Sequence, residues 1–460
     1  MKNCQFSAGP SAGRNGGAVF GENITRIQNS ASIFKENTAN KHGGALELFS
    51  IDYIVQFKSY FFSNTAKYAS GTLHIQYFTD FVQLKCVFNS NLGSSVSLLH
   101  GFCIKDNYSV YVNNTAESGA GIYVEHCHSA EIFYNAFLNN FAAYRGGAVT
   151  VYMVQHNLSI SFGKFTNNTG SAKSEGSCLF AEDAKRISLV QSTLIGNKGG
   201  LGGLYLKSFS QLKNCKCIFV DNTGNQAAGI KALIGNYIFN ENLLFSNNTV
   251  KLTGGAFEAE EVKTIRTFNC SFSYNRAEHF GSAMHFHKVG IVINLNLMFH
   301  HNSGTTLVLK HGRYFHNNNT DFLSNSGKGS AVLDVRHLHS FVSNRSVYKK
   351  NFGSLSGVLS SFNCNYTLFF HCYFIQNQGK ENAGIAFCQF SQTVSIQDSK
   401  FINNWGKRGG TFYVVIMHKF ISQNCVFYNN SAKEKGGALY IVKASVVVNS
   451  RGYFYGNTVE

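Results

Sequence analysis

The sequence predicts an all-β fold: a right-handed parallel β-helix of about 17 coils, each of ~26 residues and three short strands. Three observations predict it. A unit made of a large apolar residue, an asparagine three positions later and a small-residue pair recurs along the chain, as in FKENTANKHGGAL at 34–46 and NCVFYNNSAKEKGGALYIV at 424–442. Just after the small pair, apolar and variable residues alternate with the period of a strand. Only one proline, Pro10, occurs in 460 residues, where ordinary usage gives roughly twenty. Proline is excluded where nearly every backbone N–H feeds a hydrogen-bond ladder.

The asparagine recurs seventeen times, from Asn37 through Asn140, Asn222, Asn275, Asn377 and Asn430 to Asn457, at intervals of 23 to 29 residues. Phenylalanine leads fourteen of these units, tyrosine two (Tyr111, Tyr348) and leucine one (Leu194). A fixed period of this size marks a solenoid, a propeller or an array, and the absence of a helical pattern selects one coil of a β-helix per unit. Coils one interstrand distance apart would make a rod of roughly 80 Å.

Each recurring residue then has a physical role. Phenylalanines on successive coils stack into an interior column. The asparagines form an amide ladder from coil to coil, at a bend where asparagine tolerates left-handed backbone. Pairs such as Gly43-Gly44, Gly254-Gly255 and Gly409-Gly410 make tight corners. After the pair, Leu46, Leu73, Tyr123, Val149, Tyr205 and Phe257 are read as pointing inward, with Lys231 an exception. The residues that follow, such as Glu47, His74, Thr150, Glu258 and His285, are expected to face water.

Composition narrows the function classes. Forty Lys and Arg against 24 Asp and Glu give a formal charge of +16, a field that favours anionic glycans or cell-surface proteins as partners. No aromatic-and-basic RNA-binding signature or helix-turn-helix pattern occurs, so nucleic acid is not expected as a partner. The glycines of GLGG at 200–203 are followed by no GK[ST] and no helix-forming segment, so they read as corners, not a phosphate loop. No apolar run is long enough to span a membrane. Residues 1–17 lack the apolar stretch of a secretory signal, which fits either an intracellular chain or a piece of a longer product. The chain enters inside a coil at Cys4-Gln5-Phe6 and leaves inside another at Gly456-Asn457-Thr458. It therefore reads as one repeat domain over 1–460, truncated at both ends.

The unit F-x-x-N followed by G-G-A and an apolar strand, carried as FKENTANKHGGAL (34–46), FLNNFAAYRGGAV (137–149) and FYNNSAKEKGGAL (427–439), resembles the repeat of the polymorphic outer membrane protein family. The resemblance covers essentially the whole chain, with units near 88–98, 299–309 and 348–358 degenerate at the glycine pair. It implies a right-handed β-helical passenger, displayed on the cell surface or secreted, that acts as a structural or adhesive rod. Glycans or a host or cell-surface partner would bind its outward strand faces.

Chemistry-bearing residues are sparse. Six cysteines (Cys4, Cys86, Cys217, Cys270, Cys372, Cys425) sit two residues before the column residue, never on consecutive coils, so they lie ~9.6 Å or more apart and beyond disulfide reach. Cys103 and Cys127, and likewise Cys364 and Cys388, fall at similar offsets on neighbouring coils; they are candidate disulfides, with free thiols as the alternative. Eleven N-x-S/T sequons, among them Asn113, Asn247 and Asn429, permit a secreted location. Nine of seventeen histidines lie within 279–339, including His285, His287, His311, His337 and His339. They make either a zinc or pH-responsive patch or a scatter of surface imidazoles.

A polysaccharide lyase or glycoside hydrolase on the same scaffold is the enzymatic alternative, and it would need carboxylates gathered on one face. No two acids stack on consecutive coils, and only Glu258 and Glu260 share a face. The expectation is therefore no catalytic site, no cofactor and no resident metal.

Overall fold

A computed structural model describes residues 1–7 and 15–460, without the side chains of 67–70; Pro10 lies outside the described residues. The chain divides into two compact units, Met1–Gly235 and Asn236–Glu460. Both are parallel β-solenoids, about 16 turns in total with a repeat of roughly 27 residues. The described residues contain no helix, and each strand pairs in parallel with its equivalent one coil on.

One coil of the first unit shows the construction. Strand Ile33–Lys35 ends at Glu36, whose φ of 58° turns the chain left-handed; Asn37 and the two-residue stub Thr38–Ala39 follow. A glycine corner leads into Leu46–Phe57, which bends at Ser50 (φ 56°) into two legs, and Lys58 (φ 47°) closes the turn. The coil thus has three principal legs and a stub. The left-handed residue precedes the ladder asparagine and is not the asparagine itself. At this corner the second unit has Tyr274, His301, Lys350 and Asn429, so local strain there is tolerated by residues of every kind. The four hydrogen bonds made by the asparagine that follows fix the bend.

The aromatic column is continuous through the second unit and, in the first, from Phe6 to Phe165, after which Leu194 takes the place of a ring. Phe6, Phe34, Phe61 and Phe88 stack at 4.6–4.9 Å between ring centroids, followed by Tyr111 at 5.0 Å. In the second unit Phe272 stacks at 4.9 Å on both Phe245 and Phe299. Beside it runs the amide ladder. Asn140 Nδ2 donates to Asn168 Oδ1 (3.0 Å) and to the Tyr111 carbonyl (3.0 Å), while its own Oδ1 accepts the Asn114 amide N–H and Nδ2. Asn37 donates to Asn64, and Asn222 accepts from Asn197. In the second unit Asn275, Asn377 and Asn430 donate to Asn302, Asn404 and Asn457. Both amide ends are saturated inside the wall, the condition for burying them.

Two features depart from the sequence reading. The interior carries a second, partly polar column: Asn29, Gln56, Gln83 and Asp106 lie opposite one another on successive coils of the first unit, and Asn294 faces Asn317 in the second. The variable position after the glycine pair is also covered, not open to water. Glu47 is 8% exposed, His74 6%, Thr150 0% and Glu258 6%. Pairing places Ile122 opposite Val149 and Leu204 opposite Leu179, so Tyr123 and Tyr205 belong to this outer column. Lys231, flanked by the buried Ile230 and Ala232, is no exception to the inward alternation.

The glycine corner provides the cover. Gly43, Gly254 and Gly281 have φ of 63°, 70° and 68°, and a Cβ on them would sit 2.7–2.8 Å from the Cβ of Glu47, Glu258 and His285. The second glycine serves coil stacking: a Cβ on Gly44 would lie 2.5 Å from the Gly71 carbonyl oxygen of the next coil.

Candidate interaction surface

Beneath the glycine corners, acid and base face each other across coils. Glu47 lies opposite His74 and Glu258 opposite His285. Burial pushes the Glu47 carboxyl up to about 7 and draws the His74 imidazole down to about 4, the latter helped by His42, whose ring stacks on His74 at 4.7 Å. Glu258 takes a hydrogen bond from Thr253 Oγ1 (3.0 Å) and stands 3.9 Å from His285 Nδ1. Glu260, two residues on, holds His287 Nδ1 at 3.0 Å. The carboxylates that share a face therefore each meet an imidazole of the next coil, an ion-pairing arrangement with no second acid opposed.

The histidines of 279–339 do not form one cluster. His285 lies under a corner, and His300 is half-buried beside His301 on another edge of the coil. His287, His311, His337 and His339 do share an edge of the second unit. His311 and His337 occupy the left-handed corner (φ 56° and 54°) of consecutive coils, and their rings stack at 4.7 Å with planes 5° apart. His287 meets His311 edge-on at 5.6 Å. Cations are interleaved with them. His287 lies opposite Lys310 and Lys310 opposite Arg336, with Lys288 and Arg313 alongside. Among the described residues no group of three or more His, Cys, Asp or Glu is arranged to hold a metal ion.

All twelve cysteines are free thiols in the structure, nine of them buried. The candidate pairs are out of register. Cys103 lies opposite Ser129, so Cys127 stands two positions earlier; it is buried, while Cys103 is half-exposed. Cys388 lies opposite Ser361, three residues before Cys364. Counting from the asparagines missed this because coils differ in length at the corner: Leu98 comes seven residues after Asn91, but its partner Val124 comes ten after Asn114. The six cysteines before the column residue share a role with serine. Cys86 Sγ and Ser59 Oγ each donate to the carbonyl two residues back, and Ser399 Oγ accepts the Cys372 N–H.

Several sequons also follow from the coil. Asn113, Asn167, Asn247 and Asn429 occupy the left-handed position directly before a ladder asparagine that is followed by Thr or Ser. An asparagine at that corner creates the motif automatically.

These features define a parallel β-helix repeat protein. Residues 424–442 match the Chlamydia polymorphic membrane protein (Chlamydia_PMP) repeat. This stretch holds every part of the coil described above: Cys425, the column residue Phe427, the ladder residue Asn430 and the corner Gly436-Gly437. The repeat match and the solenoid together fit a Pmp-like β-helix protein. No curated protein and no solved structure matches the chain. No helix among the described residues is long and apolar enough to cross a membrane, which says nothing of a β-barrel.

Proposed function

We propose that this chain is a surface-displayed, adhesin-like structural protein that binds glycans or a cell-surface partner through its outward faces and catalyses no reaction. One observation carries the reading. The recurring residues are all spent on the wall and interior, on the ring column, the amide ladder and the glycine corners, while the outer edges vary from coil to coil under a repeat of the polymorphic membrane protein kind. A rigid scaffold with a variable exterior suits recognition, since loops and edges can change without disturbing the fold. The carbohydrate-active alternative draws no support from Glu258 and Glu260, each of which is matched with a histidine.

The test is adherence. Beads coated with the purified chain should bind intact cells or arrayed glycans, and acidic polysaccharides incubated with the chain should keep their length. Turnover lost on Glu258→Gln or Glu260→Gln would replace this reading with the enzymatic one.

A further inference from the structure

The shared edge of the second unit concentrates charge in an unusual way. Over three consecutive coils it carries four permanent cations, Lys288, Lys310, Arg313 and Arg336, and four imidazoles, His287, His311, His337 and His339. Lys288, Arg313, Arg336, His311, His337 and His339 are exposed. Three carboxylates face them, each committed to a partner. Glu260 holds His287 at 3.0 Å, Glu261 holds Lys288 at 2.8 Å, and Asp334 holds Arg336 through two bonds of 2.9 Å. Lys310 and Arg313 have no carboxylate partner among the described residues, and Lys263 lies exposed one coil before Arg313's neighbour Gly290.

Near neutral pH the edge therefore already leans positive, five cations with Lys263 included against three carboxylates. Protonation of the imidazoles adds up to four positive charges to a narrow line, an unfavourable step unless anions arrive with the protons. His311 sits in a repelling environment, held below the ordinary imidazole range by desolvation, then by His337, His287, Lys288 and Lys310. Asn363 Nδ2 contacts His337 Nδ1 at 2.9 Å, Asn365 contacts His339 Nδ1 at 3.3 Å, and Tyr314 packs edge-on against His339. None of these neighbours supplies negative charge.

We propose that this edge is an acid-strengthened docking strip for a linear acidic polysaccharide, bound through its sulfate or carboxylate groups. The inference rests on the adhesive reading above. A linear polyanion suits a line of cations repeated at the coil spacing. Single-stranded nucleic acid suits it less, because base stacking needs free ring faces. His311 and His337 stack on one another, and the rings of His287 and Phe362 crowd them at 5.6 and 5.9 Å with planes near perpendicular.

The experiment measures binding of fluorescent dextran sulfate to the full chain at pH 7.5 and pH 5, with uncharged dextran, single-stranded DNA and anionic phosphatidylserine vesicles as comparisons. Affinity should rise about tenfold on acidification and fall with added salt. His311→Asn with His337→Asn, chosen because asparagine accepts left-handed backbone, should flatten the pH response and leave binding at pH 7.5 within about twofold. Lys310→Ala with Arg313→Ala should weaken binding at both pH values, whereas Lys105→Ala with Lys164→Ala, on the first unit, should not. Equal affinity at both pH values, equal loss in the Lys105 and Lys164 variant, or tighter binding to vesicles or DNA than to dextran sulfate would overturn the strip. Cell adherence that survives such a result would leave the adhesive reading standing, and loss of adherence alone would remove that reading.

Discussion

The Tyr111 hydroxyl donates to Asp106 Oδ2 across 2.6 Å inside the coil, where both residues are at most 1% exposed. Gln83 Nε2 completes the network, donating to Asp106 Oδ1 (3.0 Å) and to the Tyr111 hydroxyl (2.7 Å). The second tyrosine of the column, Tyr348, likewise meets Ser343 at 2.7 Å, again five residues back. A phenolic oxygen enters the ring column where the second interior column offers it a partner, because a buried hydroxyl without one is costly.

Asp106 makes this network sensitive to pH. Burial lifts its carboxyl from 3.8 to about 6, against the hydrogen bonds from Ser109, Tyr111 and Gln83 that lower it. With the folded value raised, the folded chain holds a proton that the unfolded chain has released, so stability is fullest below pH 3.8 and is lost as pH rises through 6. The penalty at neutral pH is about 3 kcal/mol. Asp106→Asn should remove this dependence: urea midpoints at pH 7 should equal or exceed wild type, and the wild type should gain on the variant as pH falls toward 4. Parallel midpoints across that range would show that Asp106 keeps an ordinary carboxyl.

The ladder predicts a graded series. Asn140→Ala strips partners from the Asn114 N–H and the Tyr111 carbonyl, both in the wall, while Asn168 Oδ1 keeps the Asn140 backbone N–H. Each buried group left unpaired costs about 1–3 kcal/mol, so a drop of about 3–5 kcal/mol is expected from chemical unfolding. Asn457 donates to the Phe427 carbonyl at 2.8 Å but is only half-buried. Water can replace its bonds, and Asn457→Ala should cost about 1 kcal/mol or less. Equal losses at the two positions would mean that the ladder acts through side-chain packing alone.

The column and the ladder were legible because Phe34, Phe61, Asn37 and Asn64 occupy the same place in every coil, and a residue repeated that often must meet its own copy. The cover over Glu47 and His74 was not legible: strand alternation says which side of the wall a residue takes, but only the path of the corner decides whether that side is wet. Gly43 carried the signal, since a left-handed glycine four residues before Glu47 lets the backbone fold over it. The interior polar column was hidden for another reason. Gln56, Gln83 and Asp106 each stand eight residues before a ladder asparagine, but the following coils place Ile132, Ile160 and Leu189 there, so no residue type repeats to mark the position. The charged edge combined the two difficulties. His311 and His337 lie at different distances from their asparagines, Asn302 and Asn325, yet occupy one corner.

Thiol chemistry follows from burial. Cys4, Cys103 and Cys215 are half-exposed, and the other nine cysteines are buried. Desolvation pushes the thiols of Cys86 and Cys127 up to about 12 and those of Cys217 and Cys372 to about 11, so little thiolate forms at neutral pH. Ellman's reagent should label at most three groups on the native chain at pH 8 and twelve in guanidinium without reductant. A denatured count of eight or ten would establish bridges, and Cys103 with Cys127 would then have to leave the register seen here.

Glycine substitutions within the second unit separate strain from simple loss of flexibility. Gly409 has φ of 76°, and a Cβ there would lie 2.1 Å from the Phe412 carbonyl oxygen, which the corner cannot move without breaking its pairing. Gly409→Ala should therefore destabilise by at least about 2 kcal/mol through the left-handed backbone and the overlap together. Gly329 has no positive φ, and a Cβ would meet nothing closer than Thr305 Oγ1 at 3.7 Å. There alanine restricts the unfolded chain at no cost to the fold, and Gly329→Ala should be neutral or stabilising by up to about 1 kcal/mol. Thermal midpoints should thus separate the two variants, Gly409→Ala melting below wild type and Gly329→Ala at or above it. If Gly409→Ala melts with wild type, the tight corner is not what closes the coil over the outer column.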